Sequence, residues 1–498
     1  MSDRRSRLRP RAMLLGAAAV LCLVGGIALP TGAQPRAERA GATPKTSPPN
    51  VILILTDDQR WDELGFTQGV QYMPTVQSQL MNKGIHFTNA FVVNPSCCPS
   101  RTTILTGKYS HGTDVYTNKP PHGGFQTFES EEGSTLATWL QGGGYYTGLI
   151  GKYLNGYETT DVGHVPQGWN RWVAMTFGDS ESGPAGYYNY TLSVDGSPVT
   201  YGKGLNNYST NVLGGYATDF INTAPPSKPL FLYFAPYAPH SPTMVAKDER
   251  SSCAGLQPLR QAQIPSFNEA DTSDKPKYAA KRPLLTTADI AKIDRHHLRD
   301  CQTLMSVDNQ VGAILTALQD TGRLSNSLIV FMSDNGYAFG EHRRTGKIVP
   351  YEPSIRVAMV VRDDAVIPPA LDGTTNGDMV LNLDVAPTFA AAGGVSSPGA
   401  VGMNFLPLLT NPGAAWRDHF LIEHWGEGGV PAYCGIRTAD WKFVRYATGE
   451  QELYDLNADP DEMQNQASNP APPYPAEVAS LRSLEQSMCQ PPPPGFTP

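Results

Sequence analysis

The fold is decided by the stretch Val51-Ile52-Leu53-Ile54-Leu55-Thr56-Asp57-Asp58-Gln59, in which an unbroken apolar run ends in two carboxylates. Such a run favours a strand buried on both faces, as in a parallel sheet covered by helices. A second run, Ser327-Leu328-Ile329-Val330-Phe331-Met332, ends similarly in Ser333-Asp334-Asn335-Gly336. The two runs predict an α/β fold in which both strands deliver polar side chains to one edge of the sheet.

Three carboxylates and one amide follow these strands, at Asp57, Asp58, Asp334 and Asn335. Crowded carboxylates repel one another unless a cation lies between them. Because the set offers only oxygen atoms, it suits Ca²⁺ or Mg²⁺ better than zinc. Of the two, Ca²⁺ is the better fit. The alternative is that Asp58 and Asp334 only cap helices or turns. That alternative suits either pair alone, whereas the two pairs together favour a metal site.

The stretch Cys97-Cys98-Pro99-Ser100-Arg101 predicts a helix that begins at or beside two thiols, since Pro99 suits a first helical turn. Free N–H groups at the helix start and the charge of Arg101 favour an anion there and lower a thiol pKa. A reactive cysteine is therefore one interpretation. The other is a buried cysteine pair or half of a disulfide, and local chemistry does not decide between them.

Cations and a histidine follow other apolar runs. Lys152 follows the run from Tyr145 to Ile150, His240 follows the run from Phe231 to Phe234, and Lys347 precedes the run from Val357 to Val361. Singly, each is most often a surface or structural residue. Gathered around a metal, they predict an anion pocket in which His240 can donate a proton.

Composition limits the function classes. The chain has 498 residues, 17% of them charged, and a formal net charge of −8. Its length allows one large domain and a smaller one. The net negative charge gives no indication of nucleic-acid binding, so we expect no nucleic-acid partner.

The N-terminus has the pattern of a targeting segment. Five arginines precede an apolar run from Ala12 to Leu29, and small residues follow. This predicts a signal peptide over residues 1–33 and a secreted or periplasmic protein without stable membrane insertion after cleavage. An uncleaved membrane anchor is the alternative, because the run is close to spanning length.

The rest of the chain divides by composition. Residues 34–49 predict a flexible leader, residues 50–412 the large α/β domain, and residues 413–489 a small α+β subdomain with an antiparallel sheet. Residues 490–498 are rich in proline and predict a disordered tail. The apolar stripe from about Thr287 to Leu318 predicts an amphipathic helix packed on the core.

Six of the seven cysteines follow the predicted signal. An oxidising compartment would allow disulfides, and we predict Cys434 with Cys489 and Cys253 with Cys301. Neither pairing follows from sequence alone, and burial of Cys301 on a helix face is nearly as good an interpretation.

Taken together, the motifs resemble those of the type I sulfatases. The cysteine signature with its Leu-Thr-Gly continuation, the two acidic strand ends, Gly151-Lys152-Tyr153, Pro239-His240-Ser241-Pro242 and the stretch from Lys347 to Glu352 occur in the family's order. The resemblance runs from Val51 to about Cys489. It implies an alkaline-phosphatase-like fold, with a large, mostly parallel mixed sheet flanked by helices and a smaller C-terminal antiparallel-sheet subdomain.

The resemblance also implies residue roles. Cys97 would be oxidised to formylglycine by a formylglycine-generating enzyme, and Asp57, Asp58, Asp334 and Asn335 would hold Ca²⁺. Arg101 would stabilise the formylglycine hydrate, with Lys108 and His111 behind it. Lys152 and Lys347 would bind sulfate oxygens, and His240 would protonate the leaving alcohol, with Lys347 as the other candidate for that task.

The sequence departs from the family pattern at one place. Many sulfatases carry a histidine two places after the lysine that matches Lys152, whereas this chain has Leu154 and then Asn155. The run Gly-Lys-Tyr-Leu-Asn is similar to that of the N-acetylglucosamine-6-sulfatases and extracellular heparan sulfatases. This similarity implies a sulfated carbohydrate substrate, such as 6-O-sulfated glucosamine or a glycosaminoglycan, and a substrate-binding role for Asn155.

Other functions stay open at this stage. A broad-specificity arylsulfatase fits the same motifs. A phosphatase or phosphodiesterase of the alkaline phosphatase superfamily would use Thr or Ser as nucleophile and histidine-bound zinc, and Cys97 and the oxygen-only set argue against it. A sulfated-glycan binding protein without catalysis would result if Cys97 were never oxidised.

Overall fold

The computed structural model describes residues 47–157, 162–176 and 186–496. The predicted signal peptide, the leader up to residue 46 and the last two residues of the predicted tail lie outside these ranges. No helix of the described ranges is long and apolar enough to cross a membrane.

The strands of the first half of the chain are β1 Asn50–Thr56, β2 Gly65–Thr67, β3 Val70–Tyr72, β4 Ile85–Phe87, β5 Ala90–Phe91, β6 Tyr146–Gly151, β7 Arg171–Thr176, β8 Tyr190–Val194, β9 Ser197–Tyr201 and β10 Leu230–Ala235. Those of the second half are β11 Ser327–Ser333, β12 Ala338–Phe339, β13 Thr345–Gly346, β14 Met359–Asp363, β15 Thr374–Asn376, β16 Val380–Leu381, β17 His419–His424, β18 Tyr433–Thr438, β19 Trp441–Tyr446 and β20 Gln451–Asp455. The helices are α1 Cys97–Thr106, α2 Gly124–Phe128, α3 Leu136–Gly142, α4 Ser209–Thr223, α5 Lys277–Ala280, α6 Thr287–Asp320, α7 Glu352–Ile355, α8 Val385–Ala392 and α9 Tyr474–Met488.

A ten-stranded mixed sheet forms the centre of the fold, in the order β15-β4-β14-β11-β1-β10-β6-β7-β8-β9. Its five central strands β11, β1, β10, β6 and β7 are parallel, and the pairs at β14 and β8 are antiparallel. β1 lies between β10 and β11, with Ile52 opposite both Leu232 and Ile329. The predicted α/β fold with a mixed, mostly parallel sheet is therefore confirmed.

The side chains of β1 alternate between two cores, one on each face of the sheet. Val51, Leu53 and Leu55 belong to the cluster that also contains residues of α1, α3 and α8. Ile52 and Ile54 belong to the cluster on the other face, which contains residues of α4 and α6. Both faces of the strand are covered by helices, which explains why its sequence is apolar from Val51 to Leu55.

A second sheet is formed by β17, β18, β19 and β20, which pair in sequence order and antiparallel. Helix α9 packs on it through Leu481, and the disulfide between Cys434 and Cys489 joins β18 to the end of α9. The predicted antiparallel sheet and both predicted disulfides are present, the second between Cys253 and Cys301 of α6.

The proline-rich end differs from the expectation of disorder. Phe496 is buried in the core cluster of the second sheet, and the guanidinium of Arg445 lies 4.6 Å from the centre of its ring. The expectation of disorder from composition is wrong for residues 490–496 because the ring of Phe496 packs in this apolar cluster and against the cation of Arg445.

Candidate active site

The acidic strand ends meet at one edge of the large sheet. Because Thr56 lies opposite Ser333, the residues that follow them are neighbours, and the Asp334 N–H donates to the Thr56 carbonyl at 3.0 Å. The Asp58 N–H donates to Asp334 Oδ1 at 3.2 Å, and Asn335 Nδ2 donates to Asp58 Oδ1 at 2.6 Å. The convergence predicted from the two strands is confirmed.

Cys97 is the first residue of α1 and is fully buried beside these carboxylates. Its thiol donates to Asp57 Oδ1 at 3.3 Å, and its Sγ lies 2.7 Å from the ammonium of Lys347. Burial, and then the charge of Asp57, raise the thiol pKa well above its usual range in spite of the lysines nearby. The low-pKa thiolate that the helix start suggested is therefore wrong for Cys97.

Three cations balance the carboxylates. Arg101 Nε donates to Asp334 Oδ2 at 2.7 Å, and its Nη2 lies 3.5 Å from Asp57 Oδ2. The ammonium of Lys152 donates to Asp57 Oδ2, and that of Lys347 to Asp58 Oδ1. The side chains of Asp57, Asp334 and Arg101 have no exposed surface, so charge pairing replaces hydration in this cluster.

The strand that precedes Lys152 directs it into the cluster. Gly151 has φ +128° and approaches β10 so closely that a Cβ atom would lie 1.9 Å from the Ala235 carbonyl oxygen. Only glycine permits this approach. The Lys152 N–H then donates to the same carbonyl at 2.8 Å, and the Lys152 carbonyl accepts from Arg101 Nη1 at 2.9 Å.

The neighbouring charges shift the pKa values of the three carboxyl groups in different directions. Burial by itself raises the pKa of Asp57, but Lys152, His240 and Arg101 outweigh it and hold that pKa below the ordinary value. Burial is likewise outweighed at Asp58, chiefly by Lys347. Burial and the charge of Asp57 raise the pKa of Asp334 despite the contact with Arg101. Asp57 and Asp58 are therefore anionic at neutral pH.

The chemistry of the cluster fits a hard cation. The Lys347 ammonium contacts Asp58 Oδ1, Asn335 Oδ1 at 3.4 Å and Cys97 Sγ together, so a positive charge is accommodated between these atoms. Asp57, Asp58, Asp334 and Asn335 offer carboxylate and amide oxygens, which Ca²⁺ prefers. One atom each of Asp57, Asp58, Cys97 and His240 lies within reach of a single ion, and this group shares Asp57 and Asp58 with the predicted ligand set.

His240 lies at the exposed side of the cluster. Its Nδ1 is 2.6 Å from the Ser241 carbonyl oxygen, which can only accept, so Nδ1 carries a proton. Nε2 is therefore the atom that faces the site, 3.7 Å from Asp58 Oδ2. Burial lowers the pKa of His240, against the raising effect of Asp57 and Asp58.

Three predicted site residues, Lys108, His111 and Asn155, make no hydrogen bond or ion pair with the acidic cluster among the described residues. Lys108 pairs with Glu131 at 2.7 Å, and His111 Nδ1 lies 2.9 Å from Glu423 Oε2. These contacts direct both side chains to carboxylates outside the acidic cluster, and their place behind residue 97 stays a prediction. The Asn155 carbonyl lies 4.0 Å from the thiol of Cys98, and its buried Oδ1 has no hydrogen-bond partner in the described part of the chain.

Sequence reasoning missed His296, which it included in a helix interpreted as core. His296 Nε2 lies 3.3 Å from Ser241 Oγ, beside His240. The pair His296-His297 interrupts the apolar stripe of α6, and Asp300 follows one turn later. The polar residues His296 and Asp300 at spacing i, i+4 beside the apolar stripe of the helix were the signal that could have identified it.

Comparison with known proteins identifies the family. The profile described as sulfatase matches residues 49–395. The chain belongs to the sulfatase family. A second profile, the C-terminal region of N-sulphoglucosamine sulphohydrolase, matches residues 340–483. The protein is thus an enzyme, a sulfatase, and its large and small sheets form an alkaline-phosphatase-like fold.

Individual relatives align over most of this sulfatase. The human N-acetylglucosamine-6-sulfatase is 31% identical over 85% of this chain and 82% of its own. An arylsulfatase of Volvox carteri is 29% identical over 91% of this chain and 75% of its own. A solved structure of a protein in complex with its substrate D-glucosamine-2-N,6-O-disulfate is 26% identical, with a TM-score of 0.74 over 89% of this chain and 98% of its own.

Proposed function

We propose that this sulfatase removes the 6-O-sulfate from a glucosamine residue of a sulfated carbohydrate, with formylglycine at position 97 and Ca²⁺ as its reactive groups. The observation that carries the proposal is the position of Cys97, which touches both an acidic and a cationic member of a buried cluster. The names of the human relative and of the substrate-bound structure support 6-O-sulfated glucosamine as the substrate class.

Asp57, Asp58, Asp334 and Asn335 would hold Ca²⁺, which supplies a Lewis acid that polarises a sulfate oxygen when bound. Formylglycine at position 97, beside Asp57 and Lys347, would supply a hydroxyl nucleophile for transfer of the sulfuryl group. Because Cys97 has no exposed surface in the fold, we propose that the formylglycine-generating enzyme acts before this region is packed.

The cations have distinct tasks in this proposal. Arg101 makes two contacts with carboxylates and one with the Lys152 carbonyl, so it is fixed and orients residue 97. Lys152 and Lys347 reach the site with single ammonium groups and bind sulfate oxygens. Preorganised positive charge stabilises the negative charge that develops on the transferred group.

His240 and Lys347 are the two candidates for the proton donor to the leaving oxygen. Lys347 keeps its proton, since the carboxylates of Asp58 and Asp57 outweigh burial and raise its pKa well above the ordinary range. His240 donates from Nε2 only as imidazolium, and the charge of a bound sulfate ester favours that form. We assign the role to His240 because its Nε2 lies at the exposed side, where the sugar enters.

The test is a comparison of esters with purified enzyme. We expect turnover of 6-O-sulfated N-acetylglucosamine, slower turnover of an aryl sulfate, and no turnover of the matched phosphate monoesters. Equal or faster turnover of the aryl sulfate would favour the second candidate, a broad-specificity arylsulfatase, which the name of the Volvox relative supports. Preference for a phosphate ester would contradict both.

Location and domain limits complete the proposal. We propose export directed by residues 1–33, with a leader to residue 49, a catalytic domain over 50–412 and a subdomain over 413–489. Two disulfides and relatives described as extracellular sulfatases support an oxidising compartment. All four strands of the second sheet fall within 413–489.

A further inference from the structure

We propose that His296 of α6 is a positioning residue for His240, acting through Ser241. The inference rests on the proposed function, in which His240 protonates the leaving alcohol. It assigns a second histidine, from a different element, to the leaving-group side of the site.

His296 stands between the site and a buried acid. Its Nε2 lies 3.3 Å from Ser241 Oγ and 3.4 Å from Asp300 Oδ1. Its ring is held edge-on by Tyr337 and Phe339, each with a centroid distance of 5.2 Å. The side chain is 22% exposed and Asp300 only 3%, so the imidazole faces the site with a carboxyl group behind it.

Ser241 connects His296 to His240. The Ser241 carbonyl accepts from His240 Nδ1 at 2.6 Å and from the Tyr237 hydroxyl at 2.8 Å. The first of these bonds fixes the His240 tautomer and ring orientation, so it decides that Nε2 faces the site. The hydroxyl of the same serine contacts His296, so His296 fixes the residue whose carbonyl orients His240.

The consequence depends on the leaving group. A sugar alcohol is a poor leaving group and requires a proton as the S–O bond breaks, whereas an aryl oxide such as 4-methylumbelliferone leaves without one. Loss of a residue that aims the proton donor should therefore slow sugar-sulfate turnover selectively. Loss of a residue that only supports the fold should slow both substrates alike.

Helix α6 also supplies a matched control. His297 is the next residue but is buried, with Nε2 3.0 Å from the Tyr72 hydroxyl and 4.0 Å from Glu63 Oε1. Its replacement removes a histidine contact from the same helix on the side that faces the core.

The experiment compares kcat on 6-O-sulfated N-acetylglucosamine and on 4-methylumbelliferyl sulfate for His296→Phe, His296→Gln, His297→Gln and His240→Ala, all in the full-length enzyme. We expect His296→Phe to lose about 10- to 100-fold on the sugar sulfate and less than about threefold on the aryl sulfate. His296→Gln, whose amide can replace the Nε2 contact, should recover most of the loss. His297→Gln should show no leaving-group selectivity, and His296→Phe should add little selectivity to His240→Ala.

The outcomes separate this inference from the proposed function. If His240→Ala is selective and His296→Phe is not, only the positioning role is overturned. If His240→Ala is itself unselective, the proton-donor assignment fails and the inference fails with it. If the wild-type enzyme hydrolyses neither ester, the proposed function is contradicted first.

Discussion

A single buried thiol contacts both signs of charge in this enzyme, since Cys97 lies against Asp57 and Lys347. An ordinary cysteine there is a poor nucleophile, because burial raises its pKa. The surrounding charges instead suit the tetrahedral, anionic group of a sulfate ester. The surroundings of residue 97 therefore suit an oxidised cysteine that reacts with a sulfate ester better than an unmodified thiol.

Replacing Cys97 with alanine should abolish turnover, by about 10⁴-fold or more, because it removes the nucleophile. Binding of the sugar sulfate, measured by calorimetry, should persist because the cations remain. Cys98→Ala is the control, since the Cys98 thiol faces the Asn155 carbonyl and its pKa is raised by burial to about 12. An active Cys97→Ala enzyme, or an inactive Cys98→Ala enzyme that is fully folded, would contradict the assignment.

The buried carboxyl group of Glu63 should make the free energy of unfolding depend on pH. Burial and the charge of Asp62 raise its pKa from 4.5 to about 8, and its Oε1 has no hydrogen-bond partner among the described residues. Between pH 4.5 and pH 8 the folded state keeps the proton that the unfolded state has lost. The free energy of unfolding therefore falls as the pH rises through this interval. Glu63→Gln should therefore be more stable than wild type at pH 9 by about 1–3 kcal/mol, with the difference narrowing towards pH 5. Urea unfolding at both pH values measures it, and a pH-independent difference would disprove it.

At the scale of elements, the sequence allowed prediction of the strands but not of every side-chain direction. The inner residues of β1 and β11 are all apolar because helices cover both faces, and the polar ends of the strands had to meet once the strands were neighbours. Lys108 lies in a loop and His111 in the short 3₁₀ helix Ser110–Gly112, where spacing does not show side-chain direction, and each pairs with a carboxylate elsewhere in the chain. His296 was missed because α6 was interpreted from its apolar positions alone, and the polar residues beside them were not considered.

The disulfide between Cys253 and Cys301 ties a loop to the middle of α6 across 48 residues. Replacing both with serine should lower the free energy of unfolding by about 2–4 kcal/mol, because the unfolded chain is no longer constrained. The Cys434→Ser/Cys489→Ser pair, which opens a loop of 55 residues, is the matched comparison. Thermal unfolding under non-reducing conditions tests both, and an unchanged midpoint in both variants would show that the bonds contribute no stability.

At the scale of the whole molecule, the site lies where the large sheet, α1 and the loops after the central strands meet. Three carboxylates are buried there with Arg101, Lys152 and the partly buried Lys347, which is unfavourable unless each charge is paired. A bound metal ion would add to this balance and couple binding to stability across the catalytic domain.

Removal of the metal should therefore affect both activity and stability. Dialysis against EGTA should remove most turnover, and restoring Ca²⁺ at 100 times its dissociation constant should add about 3 kcal/mol to the free energy of unfolding. Zn²⁺ should not replace it, since the ligand set is oxygen only. An EGTA-treated enzyme with full activity and an unchanged melting temperature would contradict the metal assignment.

The most direct test of the central claim is the mass of the tryptic peptide Gly84–Arg101, which contains Cys97, taken from active enzyme made in a cell that has a formylglycine-generating enzyme. Conversion of the Cys97 thiol to an aldehyde predicts a peptide lighter by about 18 Da, a difference set by covalent chemistry. Fragmentation should place the change at position 97 and leave Cys98 as a cysteine. An active preparation in which this peptide carries only unmodified Cys97 would contradict the account.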